Sequence, residues 1–230
     1  SGIGYSYVKS AFHETYINDE LEEDIDFKTS NTEQKLTFTS TLLQRFGKRH
    51  SLKTGVIVNI PQYNLQQYNR DNRQSPLELV IRQTGNTQLL QAYTEWQGNI
   101  GNRLTLNTGV HYMQLLLNNT KAIEPRVALK WEAGPKGSIT AGYGLHSQMQ
   151  GLGVYFTRVT NAQGAVLQPN KNLGFTRAHH FVAGYQHQLG ANLRVKTELY
   201  YQHLFNVPVG NHDTSIVSTL NLRDGFLTEA

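Results

Sequence analysis

The sequence contains no cysteine and no long hydrophobic run, and each absence excludes a class of protein. Without cysteine, disulfide scaffolds, thiolate metal sites and cysteine nucleophiles are excluded. No stretch approaches 18 consecutive apolar residues, so we expect no transmembrane helix. Only 38% of the 230 residues are hydrophobic and 17% are charged. Asparagine, glutamine, threonine and glycine fill much of the remainder, which is unusual for a soluble α/β enzyme.

The net charge of +4 conceals an acidic segment near the amino terminus. This segment has no lysine or arginine and contains Glu14, Asp19, Glu20, Glu22, Glu23, Asp24 and Asp26. The rest of the chain has 10 acidic and 21 basic residues. The basic residues are scattered, which disfavours a nucleic-acid surface. Carboxylates can bind divalent cations, but the spacing of a calcium loop is absent, so we interpret the segment as a solvated loop.

An alternating pattern of apolar and polar residues predicts β-strands, most clearly between residues 193 and 205. Alternate side chains of a strand point to opposite faces, so one face of this strand is apolar and the other is polar. The apolar set is Leu193, Val195, Thr197, Leu199, Tyr201 and Phe205, and the polar set is Arg194, Lys196, Glu198, Tyr200 and Gln202. Residues 181–188 alternate similarly, and a Gly-Ala-Asn turn joins the two strands as a long antiparallel hairpin.

The pattern recurs about nine times, and the connections between strands alternate in length. Short glycine-bearing turns are predicted at residues 47–50, 98–102, 134–137 and 189–192. The opposite connections, most of them long, are predicted at residues 13–33, 62–87, 118–120, 148–177 and from 206 onward, with a possible short strand at 79–82. Strands of about ten residues with short turns at one end and long loops at the other are typical of outer-membrane barrels.

Aromatic residues end the apolar face of four strands just before the short turns. They are Phe46, Trp96, Trp131 and Tyr185. A girdle of aromatic residues at a membrane interface predicts this placement. A soluble β-sandwich also has amphipathic strands and frequent turns, and it is the alternative fold. The pattern favours an all-β, antiparallel up-and-down meander that forms part of an outer-membrane β-barrel.

No motif in the chain indicates an enzyme. The sequence has no Gly-x-Ser-x-Gly or His-Glu-x-x-His motif and no credible Ser-His-Asp set. The Gly-x-Gly pairs at residues 142–144 and 151–153 are not followed by a predicted helix, so neither is a nucleotide loop. Charged residues on the polar faces are expected to pair across strands as structural ladders or to contact a ligand. These are Arg126, Lys130, Glu132, Arg194, Lys196 and Glu198.

The nine histidines do not indicate a metal site. His179 and His180 are neighbours on a strand, so their rings point to opposite faces and cannot readily hold one ion. His187 and His203 lie on the apolar face near strand ends, where amphipathic rings suit a membrane interface. We therefore predict no catalytic residue, no metal ligand and no cofactor, and the ligand-binding residues stay unassigned.

Four segments resemble the barrel of TonB-dependent outer-membrane receptors. They are IEPRVALK at 123–130, YGLHSQ at 143–148, NLGFTRAHHFV at 172–182 and YYQHLFNVPV at 200–209. The similarity is good from about residue 88 to 209 and is weaker but collinear before that. More narrowly, the segments resemble the branch that carries a carboxypeptidase-regulatory-like domain at its amino terminus.

The resemblance implies active uptake of a scarce nutrient, powered by TonB in the inner membrane. Receptors of this kind have a plug domain and a barrel of about 22 strands. We therefore expect residues 1–230 to be a single partial barrel segment of a larger receptor, with the plug and the closing strands outside it. The implied partners are outer-membrane lipid of a Gram-negative cell, the TonB complex through the missing amino-terminal part, and an iron chelate, cofactor, peptide or glycan.

A partial barrel has two unpaired strand edges, which predicts edge-to-edge self-association or closure of the segment. Two alternatives differ in what they predict. A secreted or periplasmic soluble β-rich binding module would be monodisperse without detergent. A small closed barrel with a structural role would have an even number of strands and would pair its first strand with its last.

Overall fold

The computed structural model describes residues 1–70, 73–161 and 163–210, together with the backbone of a short strand at 227–229. Strands dominate the described chain, as the alternating pattern predicts. They are β1 Gly2–Ile17, β2 Glu23–Phe46, β3 His50–Asn69, β4 Glu78–Asn86, β5 Leu89–Ile100, β6 Leu104–Leu115, β7 Thr120–Glu132, β8 Gly137–Gln148, β9 Val159–Thr160, β10 Val166–Leu167, β11 Thr176–Gln188, β12 Arg194–Phe205, β13 Pro208–Gly210 and β14 Leu227–Glu229. The helical elements are α1 Leu152–Tyr155 and a 3₁₀ turn at Pro169–Asn172.

The long strands form one antiparallel sheet in which neighbours along the chain are neighbours in space. The order is β1-β2-β3-β5-β6-β7-β8-β11-β12, and β4 pairs with β3. Because β4 opposes residues 62–69 and β5 opposes residues 50–59, β4 and β5 follow each other along the same side of β3. The predicted up-and-down meander of about nine long strands is confirmed. In the described part of the chain, β1 and β12 lie at the two edges of this sheet.

Short turns lie at one end of the sheet and the longer connections at the other. The turn end carries residues 47–49, 101–103, 133–136 and 189–193. The loop end carries the described residues of the connections at 18–22, 73–77, 116–119, 149–161 and 163–175. Three of the short turns use a glycine with positive φ (Gly47, Gly101 and Gly134), a conformation that other residues adopt at a cost. The predicted connection from residue 206 onward lies largely outside the described residues.

Two of the predicted long loops are wrong, because the strands continue past the point where the apolar alternation ends. The predicted loop at 13–33 is a tall hairpin with a turn at only 18–22, and its strands pair almost without interruption. The predicted loop at 62–87 is mostly strand, since β3 reaches Asn69 and β4 begins at Glu78. The outward side chains there are mostly polar, and the few buried apolar ones, such as Tyr63 and Leu65, face inward. The apolar outer stripe therefore ends while the backbone ladder persists.

The height of β2 shows how far these hairpins rise. Its 24 residues span roughly 80 Å at about 3.3 Å per residue. A bilayer has a hydrocarbon core of about 30 Å, which about ten tilted residues cross. A strand of this length therefore exceeds what a membrane crossing requires.

The outer face of the sheet, defined as the face that carries Leu129 and Leu199, is apolar and exposed. Five residues that a soluble sandwich would bury between its sheets are Leu129 (39% exposed), Trp131 (47%), Leu193 (58%), Val195 (43%) and Leu199 (72%). Their exposure argues against the sandwich. None of the described helices is long and apolar enough to cross a membrane.

The four predicted girdle aromatics lie at the turn end of the outer face. Phe46, Trp131 and Tyr185 each expose about half of their surface. Trp96 stacks on His50 with ring centroids 5.6 Å apart, and it covers Gly98, where an added Cβ would lie 2.3 Å from its ring. The girdle placement is therefore as predicted.

Candidate functional site on the inner face

The inner face, opposite the outer face, forms an open trough of about 740 Å³. Strands β3, β5, β6, β7, β8 and β11 supply its walls. Its lining is mostly polar or small, in contrast to the outer face, and includes Tyr93, Asn107, His111, Arg126, His146 and His180. The trough is the concave surface on which a ligand can meet several polar side chains at once.

A buried carboxylate lies at the centre of this trough. Glu124 is only 2% exposed, and it accepts hydrogen bonds from the Ser147 backbone N–H at 2.6 Å and from Arg126 Nη2 at 2.7 Å. His111 Nδ1 lies 2.9 Å from the same carboxylate, and its Nε2 lies 3.1 Å from Gln91 Oε1. An unpaired carboxylate would be very costly to bury, so these partners are what allow Glu124 to stay inside. The network joins β5, β6, β7 and β8 just below the loop end.

Two histidines meet on neighbouring strands beside this network. His146 on β8 and His180 on β11 are diagonal neighbours, because His180 pairs with Gly144 and His146 pairs with Ala178. Their ring centroids are 4.5 Å apart with an interplanar angle of 49°. Gly144 leaves the space that the His146 ring occupies, since a Cβ at Gly144 would lie 2.8 Å from His146 Nε2.

The segment 149–175 folds over the inner face at the loop end and forms the main apolar core of the described chain. Tyr155 is fully buried, and Phe156 packs against Tyr63 with ring centroids 5.1 Å apart. We call this cluster the loop core; its buried members are Tyr63, Leu65, Ile81, Met113, Leu115, Ala122, Leu152, Tyr155, Phe156, Leu173 and Phe175. Burial raises the pKa of the Tyr63 hydroxyl above its ordinary value.

Hydrogen bonds fix the segment 149–175 to the strands around it. Asn118 Nδ2 donates to the backbone oxygen of Leu173 at 2.8 Å and to that of Lys171 at 3.2 Å. The Arg158 backbone N–H donates to the Val80 oxygen at 2.8 Å. Gln150 Nε2 donates to Thr176 Oγ1 at 3.0 Å. The predicted long loop at 148–177 is therefore present, and its described residues pack against the inner wall.

Five of the six charged residues predicted on the polar faces pair along their own strands. Lys130 Nζ lies 2.6 Å from Glu132, and Lys196 Nζ lies 2.8 Å from Glu198. Arg126 pairs with Glu124, also two residues away on the same strand. The expected pairing across strands is wrong for these residues, because long side chains two positions apart on one face reach each other directly. The Lys–Glu pairs are open to solvent and contribute little to stability.

The predicted placement of the histidines is confirmed, but their pairing was missed. His179 faces outward, where it stacks on Phe205 at 4.9 Å and approaches the Tyr143 hydroxyl at 3.0 Å. His187 stacks on Tyr185 and His203 on Phe205, both on the outer face. The inward partner of His180 is His146, which lies 34 positions earlier in the chain. Only the register of β8 against β11 brings them together, and no local pattern in the sequence contains that register.

The acidic segment lies at the tip of the β1–β2 hairpin, where five of its seven carboxylates are exposed. Asp24 is held by Arg70 at 3.0 Å and by the Tyr16 hydroxyl at 3.2 Å, and Arg70 and Arg73 lie over the Tyr16 ring. Desolvation and the hydrogen bond to Asp24 raise the pKa of Tyr16 above its ordinary value. Among the described residues, no three His, Asp or Glu side chains are placed to hold a metal ion.

The fold agrees with what comparison with known proteins finds. The family profile described as "TonB dependent receptor-like, beta-barrel" matches residues 2–224. The chain belongs to this family. Its members are receptors and transporters rather than enzymes. Among curated protein sequences, none matches the chain significantly.

Solved structures share the fold at low sequence identity. The copper transporter OprC superposes with a TM-score of 0.65 and 12% identity over 90% of this chain and 36% of that protein. The siderophore receptor PirA from Acinetobacter baumannii gives 0.63 and 10% over 94% and 34%. The RagAB peptide transporter gives 0.58 and 10% over 99% and 29%. The chain therefore spans about a third of these proteins, and its sheet is part of an outer-membrane β-barrel.

Proposed function

We propose that this chain is part of the wall of an outer-membrane receptor that imports a nutrient with energy supplied through TonB. The proposal rests on the distribution of side chains, which is the reverse of that in a water-soluble protein. Leu199 on the outer face is 72% exposed, whereas the inward Glu124 is 2% exposed. Exposing apolar side chains and burying charged ones is unfavourable in water, but it is expected for a wall with lipid outside and polar groups inside.

The ligand would enter at the loop end and bind on the inner face. Tall hairpins and the described part of the segment 149–175 border that entrance, and the polar trough lies directly below it. The structurally similar proteins are described as transporters or receptors for copper, siderophores and peptides. A ligand from one of these broad classes, or another scarce cofactor or glycan, is consistent with a wide polar trough.

Membership of the family supports the remaining parts of the proposal. The TonB complex would act through a part of the receptor outside this chain, and a plug domain would fill the barrel. The solved relatives are about three times longer than this chain, which leaves room for both. The soluble binding module is disfavoured, because a water-soluble protein rarely exposes an apolar band that is continuous across so many strands.

A pair of lysine substitutions tests the orientation of the wall in the membrane. Leu129→Lys places a charge toward lipid, whereas Ala128→Lys places the same charge one residue away in the trough. On the lipid face a lysine costs about 2–4 kcal/mol at the middle of a bilayer and less toward the interface where Trp131 lies, whereas a lysine on the inner face costs little at any depth. We expect Leu129→Lys to reduce the amount of folded protein in outer-membrane fractions and Ala128→Lys to leave it nearly unchanged.

Uptake itself is tested in cells that depend on the receptor for growth on a candidate nutrient. We expect growth to stop when the receptor gene or the TonB gene is deleted, and to return when either is restored. Equal growth without TonB contradicts the transport proposal. Recovery of the full-length protein in a soluble periplasmic fraction contradicts the proposed location.

A further inference from the structure

We infer that the outer face of the loop-end half of the wall binds the phosphate groups of a phosphorylated glycolipid. The glycolipid lies in the membrane leaflet on the side of the long loops, which in such barrels is the outer leaflet. The inference goes beyond the proposed import function, and of the claims made there it rests only on the placement of the sheet in the outer membrane. It concerns the face opposite the trough.

A belt of basic side chains lies on the outer face, between the apolar band and the tips of the hairpins. The register between strands places five lysine and arginine residues of the large sheet on the face that carries Leu129 and Leu199. All five lie toward the loop end, and the lysines and arginines of the sheet near the turn end face inward. We call the five the basic belt; they are Lys9, Lys28, Arg82, Lys121 and Arg177.

No acidic side chain neutralises the basic belt. From the turn end up to the paired residues Lys28 and Tyr68, none of the outward residues of the described sheet is aspartate or glutamate. The ion pairs of the described chain are formed by other residues, so the five cations are open to an external anion. Unpaired positive charge on one side of an apolar face is complementary to the anionic surface of one leaflet.

The guanidinium of Arg177 is already oriented for an anion. Its central carbon lies 5.8 Å from the centroid of the Phe205 ring, and this cation–π contact holds the group against the outer face. The Nε atom of Arg177 is buried and has no hydrogen-bond partner among the described residues. A buried donor without an acceptor is unfavourable, and a phosphate oxygen supplies the acceptor that the planar guanidinium lacks.

Arg177 and Lys121 lie at the level where the apolar band ends. Below Arg177 on the outer face, the rings of Phe181 and Tyr201 are 6.1 Å apart, and such aromatic residues are typical of a membrane interface. On β7 the outward neighbour of Lys121 is Ile123, which is 61% exposed. The two cations are therefore positioned for phosphate groups that lie next to the acyl chains.

Lys28 and Arg82 lie higher, which requires a tall headgroup. Arg82 pairs with Gln66 of β3, six positions beyond Ile60, where the outward apolar residues of that strand end. At about 3.3 Å per residue and a strand tilt of about 45°, the rise from Ile60 is roughly 14 Å. The headgroup layer of a phospholipid is only about 5–8 Å thick. Phosphate groups at both levels are expected of a glycolipid with a phosphorylated saccharide, and not of a phospholipid.

The outward side chains between the two levels suit a saccharide. Gln62 and Asn64 of β3 and Thr84 of β4 lie there, and Thr84 Oγ1 donates to Asn64 Oδ1 at 3.0 Å. Amide and hydroxyl groups can both donate to and accept from the hydroxyl groups of a sugar. The face is therefore apolar at the level of acyl chains, basic at the level of the first phosphates, and polar with further basic residues above.

Binding is measured on the full-length receptor, purified in detergent and freed of bound lipid. The first probe is lipid A that carries two phosphate groups, and native mass spectrometry and titration give the stoichiometry and the affinity. We expect saturable binding of this lipid and much weaker binding of dephosphorylated lipid A and of phosphatidylglycerol. Equal affinity for dephosphorylated lipid A, or for phosphatidylglycerol, overturns the inference.

A double substitution tests the level next to the acyl chains. Lys121→Gln combined with Arg177→Gln removes two cations there. Each basic residue near an anionic lipid surface changes affinity about fivefold, so the double variant should bind lipid A about 25-fold more weakly. Lys130→Gln combined with Lys196→Gln is the matched control, because it removes two exposed lysines from the inner face, and it should leave the affinity unchanged. An equal loss in the control overturns the inference.

A second double substitution tests the upper level. Lys28→Gln combined with Arg82→Gln should leave the affinity for lipid A unchanged, because lipid A does not reach that level. The same variant should bind lipopolysaccharide with a phosphorylated core saccharide about 25-fold more weakly than the wild type does. Equal losses for both lipids, or no loss for either, contradict a headgroup that spans the two levels. Folding is checked by the heat-dependent shift on gels, and affinities are compared only among folded proteins.

The outcomes keep this inference separate from the proposed function. If the variants of the basic belt bind both lipids as the wild type does, while growth depends on TonB, the glycolipid site is wrong and the import function stands. If growth is independent of TonB while the variants lose affinity as expected, the import function is wrong and the glycolipid site stands. Recovery of the full-length protein in a soluble periplasmic fraction contradicts both.

Discussion

The turn-end half and the loop-end half of the wall are held together in different ways. In the turn-end half, the inner face carries open Lys–Glu pairs and the outer face carries exposed aromatic residues such as Trp131. In the loop-end half, Tyr155, Leu115 and Glu124 are almost fully buried. The comparison shows that side-chain packing stabilises the loop end. The turn end depends instead on backbone hydrogen bonds between its strands and on the medium that contacts its outer face.

Removing a central residue of the loop core should have the largest effect. Tyr155→Ala leaves a cavity and removes the hydroxyl that accepts from the Gln150 backbone N–H. Truncation of a fully buried aromatic residue costs about 3–5 kcal/mol. Hydrogen exchange should show loss of protection across residues 149–175. Leu189→Ala, an exposed position in a turn, is the control and should change stability by less than about 0.5 kcal/mol. Equal effects of the two would contradict a packed loop core.

Neutralising the buried carboxylate should have the next largest effect. Glu124→Gln keeps the shape but removes the charge that accepts from Arg126 and Ser147. Hydrogen bonds to charged groups are worth about 2 kcal/mol, so denaturant unfolding in detergent should shift by about that amount. Glu132→Gln breaks an exposed pair at the turn end and should cost at most about 0.5 kcal/mol. A larger loss of stability in Glu132→Gln than in Glu124→Gln would contradict the distinction between the two halves.

The smallest expected effect concerns the attachment of the segment 149–175. Asn118→Ala removes two hydrogen bonds to backbone oxygens of this segment, at Leu173 and Lys171. The expected loss is about 1 kcal/mol, and it should be local. Hydrogen exchange should increase in residues 169–175 and stay constant in β11 and β12. Asn102→Ala, in an exposed turn, is the control and should leave hydrogen exchange unchanged both in residues 169–175 and in β11 and β12.

The sequence predicts the strands correctly where one face of a strand contacts lipid and the other contacts water, because each environment favours a different class of side chain. In β7, β8, β11 and β12 one face is apolar and the other polar, and the period of two is plain. The same reasoning fails in the upper parts of β1, β2 and β3, because the outer face there is mostly polar and the few buried apolar residues, such as Tyr63 and Leu65, face inward into the loop core. Backbone hydrogen bonds still form those strands, but these bonds do not require particular side chains, so the sequence pattern does not show them.

The candidate site was less predictable than the fold. The inward orientation of Arg126 and His180 follows from alternation along each strand. The Glu124 network and the His146–His180 pair depend on cross-strand register, and the packing of Tyr155 into the loop core depends on the path of a long connection. Both are tertiary properties that a single sequence does not display.

The central claim is that the outer face contacts lipid while the inner face contacts water. Because the chain has no cysteine, single cysteines can be introduced along β7 and labelled with a nitroxide. We predict high collision rates with oxygen at Val127→Cys and Leu129→Cys, and high collision rates with a water-soluble nickel complex at Ala128→Cys and Lys130→Cys. Uniform access of the nickel complex to all four positions in membrane-embedded protein would contradict the account.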